Sequence, residues 1–214
     1  FRRVLFRSVV VGTDDSTPGQ VYVYVGTKQS TGNAVERAGL TNGRLYGIKV
    51  AGITTEVTDA TLAQGSSRAF ELVDLGDVSG LTGAQLQDLS KAKGVSEMAR
   101  PEDSSWDPSD PSGLYVAMTN AFKAPTRLWH YEFADASDVT KGGTATVAVQ
   151  GPAYDATKAD KDQSGPRMLD NITVNDRGQV IALEDVGNND YLGGVYQYDP
   201  VTGAVAREIG RAHV

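Results

Sequence analysis

The chain has 214 residues, no cysteine and a formal net charge of −7, from 27 acidic and 20 basic residues. Such acidity argues against nucleic acid or anionic lipid as a partner, because phosphate surfaces are met by a basic footprint. No run approaches the ~20 consecutive apolar residues of a membrane-spanning helix, and the lack of cysteine excludes disulfides within the chain while leaving its compartment open.

The two ends read as foreign to the rest. Phe1–Ser8 (FRRVLFRS) back-translates to a sequencing-adapter oligonucleotide, and the reverse complement of that oligonucleotide, read one base out of frame, encodes Glu208–Val214 followed by a stop. Such scars are set aside before fold reasoning, so the genuine protein is expected over Val9–Arg207, cut at both ends. Arg2, Arg3, Arg7, Arg211 and Glu208 leave with the scars. The 20 basic residues become 16 and the 27 acidic ones 26, a net charge near −10. His213 leaves too, and His130 remains as the single native histidine.

Strands are predicted where short alternating or β-branched runs lie between Gly, Pro, Asn and Asp. A first unit, residues 9–75, carries them at Val9–Val11, Val21–Val25, Leu45–Val50 and Phe70–Leu75. Thr82 then caps a helix over GAQLQDLSKAK, with Leu86 and Leu89 on one face and Gly94 as the stop. A second unit, residues 102–150, has Ser104–Asp107, Leu114–Thr119, Arg127–Phe133 and Thr144–Val149. After the polar insert Gly151–Pro166 comes a third, residues 170–207, with Ile172–Asn175, Gln179–Leu183, Val195–Tyr198 and Ala204–Arg207. A DPVTG hairpin turn joins the last two strands. Each unit is four strands, A to D, with a Gly-bearing turn between A and B (STPG, SDPSG, DRG). Four-stranded antiparallel units in series predict an all-β fold, a partial β-propeller of about three blades with one short helical insert. A β-sandwich is the alternative.

Two segments share a plan that points to chemistry. In RPEDSSWDP (Arg100–Pro108) and LDNITVNDRGQVIALED (Leu169–Asp185), an acid or amide precedes strand A, and a polar pair, Thr119-Asn120 or Glu184-Asp185, closes strand B. In an antiparallel meander strand A starts at the end where B finishes. Glu102 and Asp103 should therefore share a face with Thr119 and Asn120, as should Asp170 and Asn171 with Glu184 and Asp185. The first unit's B–C loop, with Lys28, Gln29, Asn33, Glu36 and Arg37, is expected to open there as well, and both inserts are candidate lids.

Carboxylates and amides are the hard oxygen ligands that calcium takes in groups of six to eight. Glu102, Asp170, Asn171, Glu184 and Asp185 form the candidate metal set, with Val186–Asp190 (VGNND) next in line. Asp and Asn also cap turns, whereas Glu is a poor turn former, so Glu102 and Glu184 carry most of the weight. A His-based triad or a zinc site does not suit one histidine placed in the strand LWHYEF. GLTNGRLYG is not a phosphate-cradling loop, since no helix follows it. Trp106 and Trp129 are expected to pack between blades.

GTKQSTGNAVERAGLTNGRLYGIKV, RPEDSSWDP with LYVAMTN, and LDNITVNDRGQVIALED resemble the PhoX-type alkaline phosphatase family over nearly all of Val9–Arg207. The resemblance implies a secreted or periplasmic propeller that hydrolyses small-molecule phosphomonoesters, with calcium and iron at its channel mouth. The family's glutamate of the RPE motif falls on Glu102 and that of the ED motif on Glu184, both metal ligands there. The family's cysteine iron ligand normally lies N-terminal to this stretch, and no basic residue flanks Glu184. Lys28, Arg37, Arg100 and Arg167 are then the cations that could meet phosphate oxygens, and Asn120 joins Lys28, Arg37 and Arg100 as a substrate-binding candidate. No catalytic residue is assigned, and the protein is expected to be a monomer. The rival readings are a non-catalytic calcium-stabilised propeller serving as an extracellular scaffold, and a calcium-dependent lactonase or esterase propeller.

Overall fold

The computed structural model describes residues 7–57, 59 and 61–209. Three antiparallel meanders follow one another along the chain. The first is β1 (Arg7–Thr13), β2 (Val21–Thr27), β3 (Arg44–Val50) and β4 (Ser67–Gly76). The second is β5 (Pro101–Trp106), β6 (Gly113–Met118), β7 (Arg127–Phe133) and β8 (Gly143–Gln150). The third is β9 (Leu169–Val174), β10 (Val180–Glu184), β11 (Val195–Tyr198) and β12 (Val205–Ile209). This is the expected all-β partial propeller of three four-stranded units, with every expected strand present.

Period-two alternation decides which side chains turn inward. In β2 the valines at 21, 23 and 25 are buried while Tyr22 and Tyr24 are half-exposed. The valines pack with Ile48, Phe70, Leu114, Val116, Trp129 and Tyr131 into a core between the first two meanders. On its other face the second meander uses Tyr115, Ala117, Leu128 and Val149 to pack against Leu169, Ile172, Val180 and Tyr196 of the third. Both tryptophans pack as expected: Trp129 is fully buried, and the Trp106 ring lies 5.6 Å from that of Phe133.

The outer strands β4 and β8 pair antiparallel, from Ser67 opposite Thr146 to Phe70 opposite Gly143. The first two meanders thus become one eight-stranded sheet, ordered β1-β2-β3-β4-β8-β7-β6-β5. Because every pairing in it is antiparallel, the first meander runs inverted relative to the second. Its A–B turn, not its B–C loop, therefore arrives beside the start of β5. There Thr13 Oγ1 donates to Glu102 O at 2.6 Å, and Gly19 bridges Met98. The third meander keeps the orientation of the second, with Ile172 N donating to Asp103 Oδ2 at 2.9 Å.

Two helices punctuate the strands. α1 (Ala34–Arg37) is a single turn in the first B–C loop, closed by a capping box between Asn33 and Glu36. α2 (Gly83–Ala92) is the expected helix. Thr82 N donates to Gln85 Oε1, Gln85 N donates to Thr82 Oγ1, and Gly94 at φ +74° ends the element in the left-handed region. Among the described residues no helix is long and apolar enough to cross a membrane. Of the two segments expected to be adapter-derived, 1–6 and 210–214 lie outside the described residues. Arg7 and Ser8 extend β1 opposite Thr27 and Gly26, and an exposed Glu208 lies within β12.

Leu114 is fully enclosed in the core shared by the first two meanders. Leu114→Ala should cost about 2–5 kcal/mol in urea unfolding, against less than about 0.5 kcal/mol for Val201→Ala at a 90 % exposed position. Equal losses would contradict the packing described.

Candidate active site

Backbone strain collects at one end of the second and third meanders. Among the described residues, the non-glycine positions with positive φ are Arg100 (64°), Asn120 (57°) and Met168 (47°). They stand just before β5, just after β6 and just before β9. Each costs on the order of 1–3 kcal/mol and persists where surrounding contacts over-determine it. Those contacts are visible. Thr119 N donates to Arg100 O and Asn120 N to Ala99 O, both at 2.9 Å, and Asp185 N donates to Met168 O at 3.1 Å. Thr119 Oγ1 adds a 2.8 Å bond to Leu169 O. The starts of β5 and β9 and the ends of β6 and β10 are thereby joined into one rim.

Acidic side chains gather on this rim around one guanidinium. Arg100 Nε donates to Asp15 Oδ1 at 2.6 Å, and that bond holds the Asp15 carboxyl below its usual range. Glu102 is half-buried, and its Oε2 is enclosed without a hydrogen-bond partner. Burial, then a hydrogen bond shared with the Asp15 carboxyl, then the negative charge of Asp170, push the Glu102 carboxyl up to about 7. Asp170 is 7 % exposed. Burial raises its pKa, and the charge of Asp185 raises it further, ahead of smaller contributions from Asp15 and Asp103. The rim thus holds more negative charge than Arg100 balances.

Not every expected residue joins this group. Glu184 stands at the same end, opposite Leu169, but its Oε1 accepts the N–H of Arg167 and its Oε2 that of Gly194, at 2.6 Å for the latter. Burial raises its carboxyl to about 7 against those donors. Asp185 Oδ1 accepts Gly187 N at 3.0 Å, and Asn171 is exposed on β9. Asn120 is buried with Nδ2 donating to Pro125 O at 2.9 Å. Lys28 and Arg37 lie at the opposite end of the first meander because that meander is inverted, and Arg37 donates to Gly32 O at 2.6 Å. Arg167 is buried between the rings of Phe122 and Tyr154, each 5.7 Å away, and donates to Phe122 O and Ala153 O. It anchors the 151–166 insert to the rim. His130 is a strand residue of β7 stacked 4.5 Å from Tyr115, its pKa lowered by burial.

Asp15 was not foreseen. Its only signal was the TDDSTPG turn, which reads as an ordinary polar connection. Among the described residues no three acids or imidazoles stand close enough to hold a metal as arranged. The donors on this rim are nevertheless carboxylates, the oxygen ligands a hard cation takes; Asp170 is buried, Glu102 is half-buried with one enclosed oxygen that has no donor, and Asp15 and Asp185 are exposed.

The sequence model for alkaline phosphatase PhoX matches residues 6–209. The chain belongs to the PhoX alkaline phosphatase family. No curated protein matches it. Among solved structures, PhoX of Pseudomonas fluorescens in complex with vanadate, a transition state analogue, is similar in fold, with a TM-score of 0.63 at 18 % identity. The likeness covers 94 % of this chain and 41 % of that one, so the chain spans less than half the length of that PhoX relative.

A carboxyl raised from 4.5 to about 7 favours the fold when protonated. The stability it contributes is fully present below about pH 4.5 and is lost as pH rises through 7. In chelator, Glu102→Gln should therefore gain thermal stability on the native chain as pH is raised across that window. Glu184 shifts in the same direction but is common to both proteins. Melting curves that run parallel from about pH 4 to pH 8 would remove Glu102 from the strained acidic group.

Proposed function

We propose that this chain is part of a metal-dependent phosphomonoester hydrolase, the part that carries one arc of its metal-binding rim. The observation that supports this most directly is the buried, unpartnered Oε2 of Glu102 within an excess of negative charge. A carboxylate in that setting needs a proton or a cation. Glu102 and Asp170 would hold the cation first; Asp185, Asn171 and Glu184 would join only by turning from where they stand, Glu184 giving up the amides of Arg167 and Gly194, and calcium and iron are the ions the family reading favours. When bound, such an ion supplies Lewis-acid polarisation of a phosphoryl oxygen. The chain's own groups orient the substrate. Arg100, with Nε committed to Asp15, offers its Nη groups to phosphate oxygens in the fork geometry guanidinium favours. Asn120, held left-handed beside it, is buried with its amide donating to Pro125 O, so its part is to shape the rim. The packed insert 151–166 narrows access to water from one side. The same reading makes the protein periplasmic or secreted and a monomer, and keeps residues 1–8 and 208–214 as adapter-derived.

One observation favours a second reading. Both Glu184 oxygens are occupied by backbone donors, as they would be in a non-catalytic scaffold. The test uses the complete gene. With calcium and iron supplied, p-nitrophenyl phosphate turnover should fall by at least about a hundredfold in Glu102→Gln and on chelation, the scale of loss when support of a metal site is broken. Turnover indifferent to both would exclude this site. No turnover from the unaltered protein across a panel of phosphoesters would favour the scaffold.

A further inference from the structure

Glu56 is a buried carboxylate that the rim chemistry does not use. It sits in the connection after β3 at 1 % exposure and accepts three hydrogen bonds. Two come from the second meander, Arg127 Nη1 at 3.0 Å and Trp129 Nε1 at 2.9 Å. The third comes from Ala99 N at 2.9 Å. The connection itself is fixed against the chain that leads to the rim. Glu56 N donates to Glu97 O at 2.8 Å, Glu97 N to Thr54 O at 3.0 Å, and Ser96 Oγ to Ile53 O at 2.7 Å.

Ala99 immediately precedes the left-handed Arg100, and Pro101 and Glu102 follow. Arg100 is doubly disfavoured there, by its own side chain and by the proline ring after it. Four bonds hold the backbone against that cost: Ala99 N to Glu56, Arg100 N to Met98 O, Ala99 O from Asn120 N, and Arg100 O from Thr119 N. Beyond them the ring of Pro101 fixes its own φ. Few dihedrals are left free between the Glu56 carboxylate and the Glu102 side chain.

The third meander repeats the device with different residues. Glu184 accepts the N–H of Arg167, which immediately precedes the left-handed Met168, and Asp170 follows two residues later. In both places a glutamate, buried for Glu56 and partly buried for Glu184, takes the N–H before the left-handed residue, and a rim acid stands two residues after it.

We infer that Glu56 is a positioning residue, which holds Arg100 left-handed through Ala99 and thereby sets Arg100 and Glu102 at the rim. It touches no reacting atom. Its buried pairing with Arg127 carries the placement of β7 to that backbone, so core and rim are set together. Glutamine cannot reproduce it, because one of its two polar atoms is a donor and would face N–H groups that also donate.

The inference rests on the proposed cation-binding rim only for its functional consequence, and the test separates the two. In this chain, Glu56→Gln should speed amide hydrogen exchange at residues 99–103 by at least tenfold while β2 and β7 keep their protection. It should also weaken terbium binding, read by luminescence, at least tenfold. Leu114→Ala, which destabilises the same core without touching this network, should speed exchange in β6 at least as much as at residues 99–103, with no local excess there, and leave terbium binding near that of the unaltered chain. Unchanged exchange at 99–103, or an acceleration spread evenly over all strands, would overturn the positioning role. Local acceleration with no terbium binding by the unaltered chain would sink the cation reading and leave the clamp standing. If Glu56→Gln does not fold, the unaltered chain decides. Its Ala99 amide should exchange as slowly as those of β6, and exchange at the rate of the exposed residues 28–33 would overturn the proposal.

Discussion

The second meander is covered on both faces, and the rest of the molecule follows from that burial. All six residues of β6 are buried, and Ala117, Ala145 and Ala148 keep the two flanking layers close. A strand enclosed on both faces cannot alternate apolar and polar residues, and LYVAM does not. Its end cannot be left to water either. The last carbonyls and the incoming amides of the neighbouring strand need partners inside the protein. Thr126 answers that need twice, donating to Met118 O at 2.8 Å and accepting Leu169 N at 2.9 Å. Thr119 bonds Leu169 O in the same way. The polar rim is therefore first a way of ending a buried sheet, and its chemistry is built on that framework.

Three glutamates, Glu56 buried and Glu184 and Glu102 partly so, fall into an order set by their donors. Glu56 has three, one of them a guanidinium, and is complete. Glu184 has two backbone amides, enough to place its oxygens but not to offset its burial. Glu102 has an enclosed oxygen that no N–H reaches and shares only the neighbouring Asp15 carboxyl. Leaving a buried polar group unpaired costs about 1–3 kcal/mol and more for a charged one, so of the three Glu102 is the one least satisfied by the chain's own donors. The contrast orders the three by how far the chain's own donors satisfy them.

The strands were legible because their alternation is local. In β2 and β9 the buried positions can be read directly from VYVYV and LDNITV. The shared rim of the second and third meanders was legible too, since strand A starts where strand B ends whatever surrounds them. The joining of β4 to β8 was not. Nothing in SRAFELVDLG names its partner, because edge pairing is decided by backbone groups common to every strand. That pairing inverts the first meander, carries Lys28 and Arg37 to the far end and brings Asp15 to the rim. Glu56 was hidden for a related reason. It sits in a polar connection, and only the folded chain shows its three donors. Asn33 and Glu36 read as polar rim residues and prove to be a capping box, a local motif that the spacing N-A-V-E did encode.

Glycine would adopt the left-handed conformation at the three strained positions without cost, yet Arg, Asn and Met stand there. Each side chain makes a contact that glycine lacks. The Arg100 guanidinium pairs with Asp15, the Asn120 amide donates to Pro125 O, and Met168 packs with Phe122 and Tyr191 beneath the 151–166 insert. The strain is thus the consequence of asking one residue both to turn the backbone and to present a side chain at the turn. A glycine would relax the first demand and abandon the second. The glutamate that accepts the N–H before each left-handed residue that opens a strand A lets both demands be met together. That arrangement ties the rim's chemistry to a core residue in the first meander and a strand end in the third.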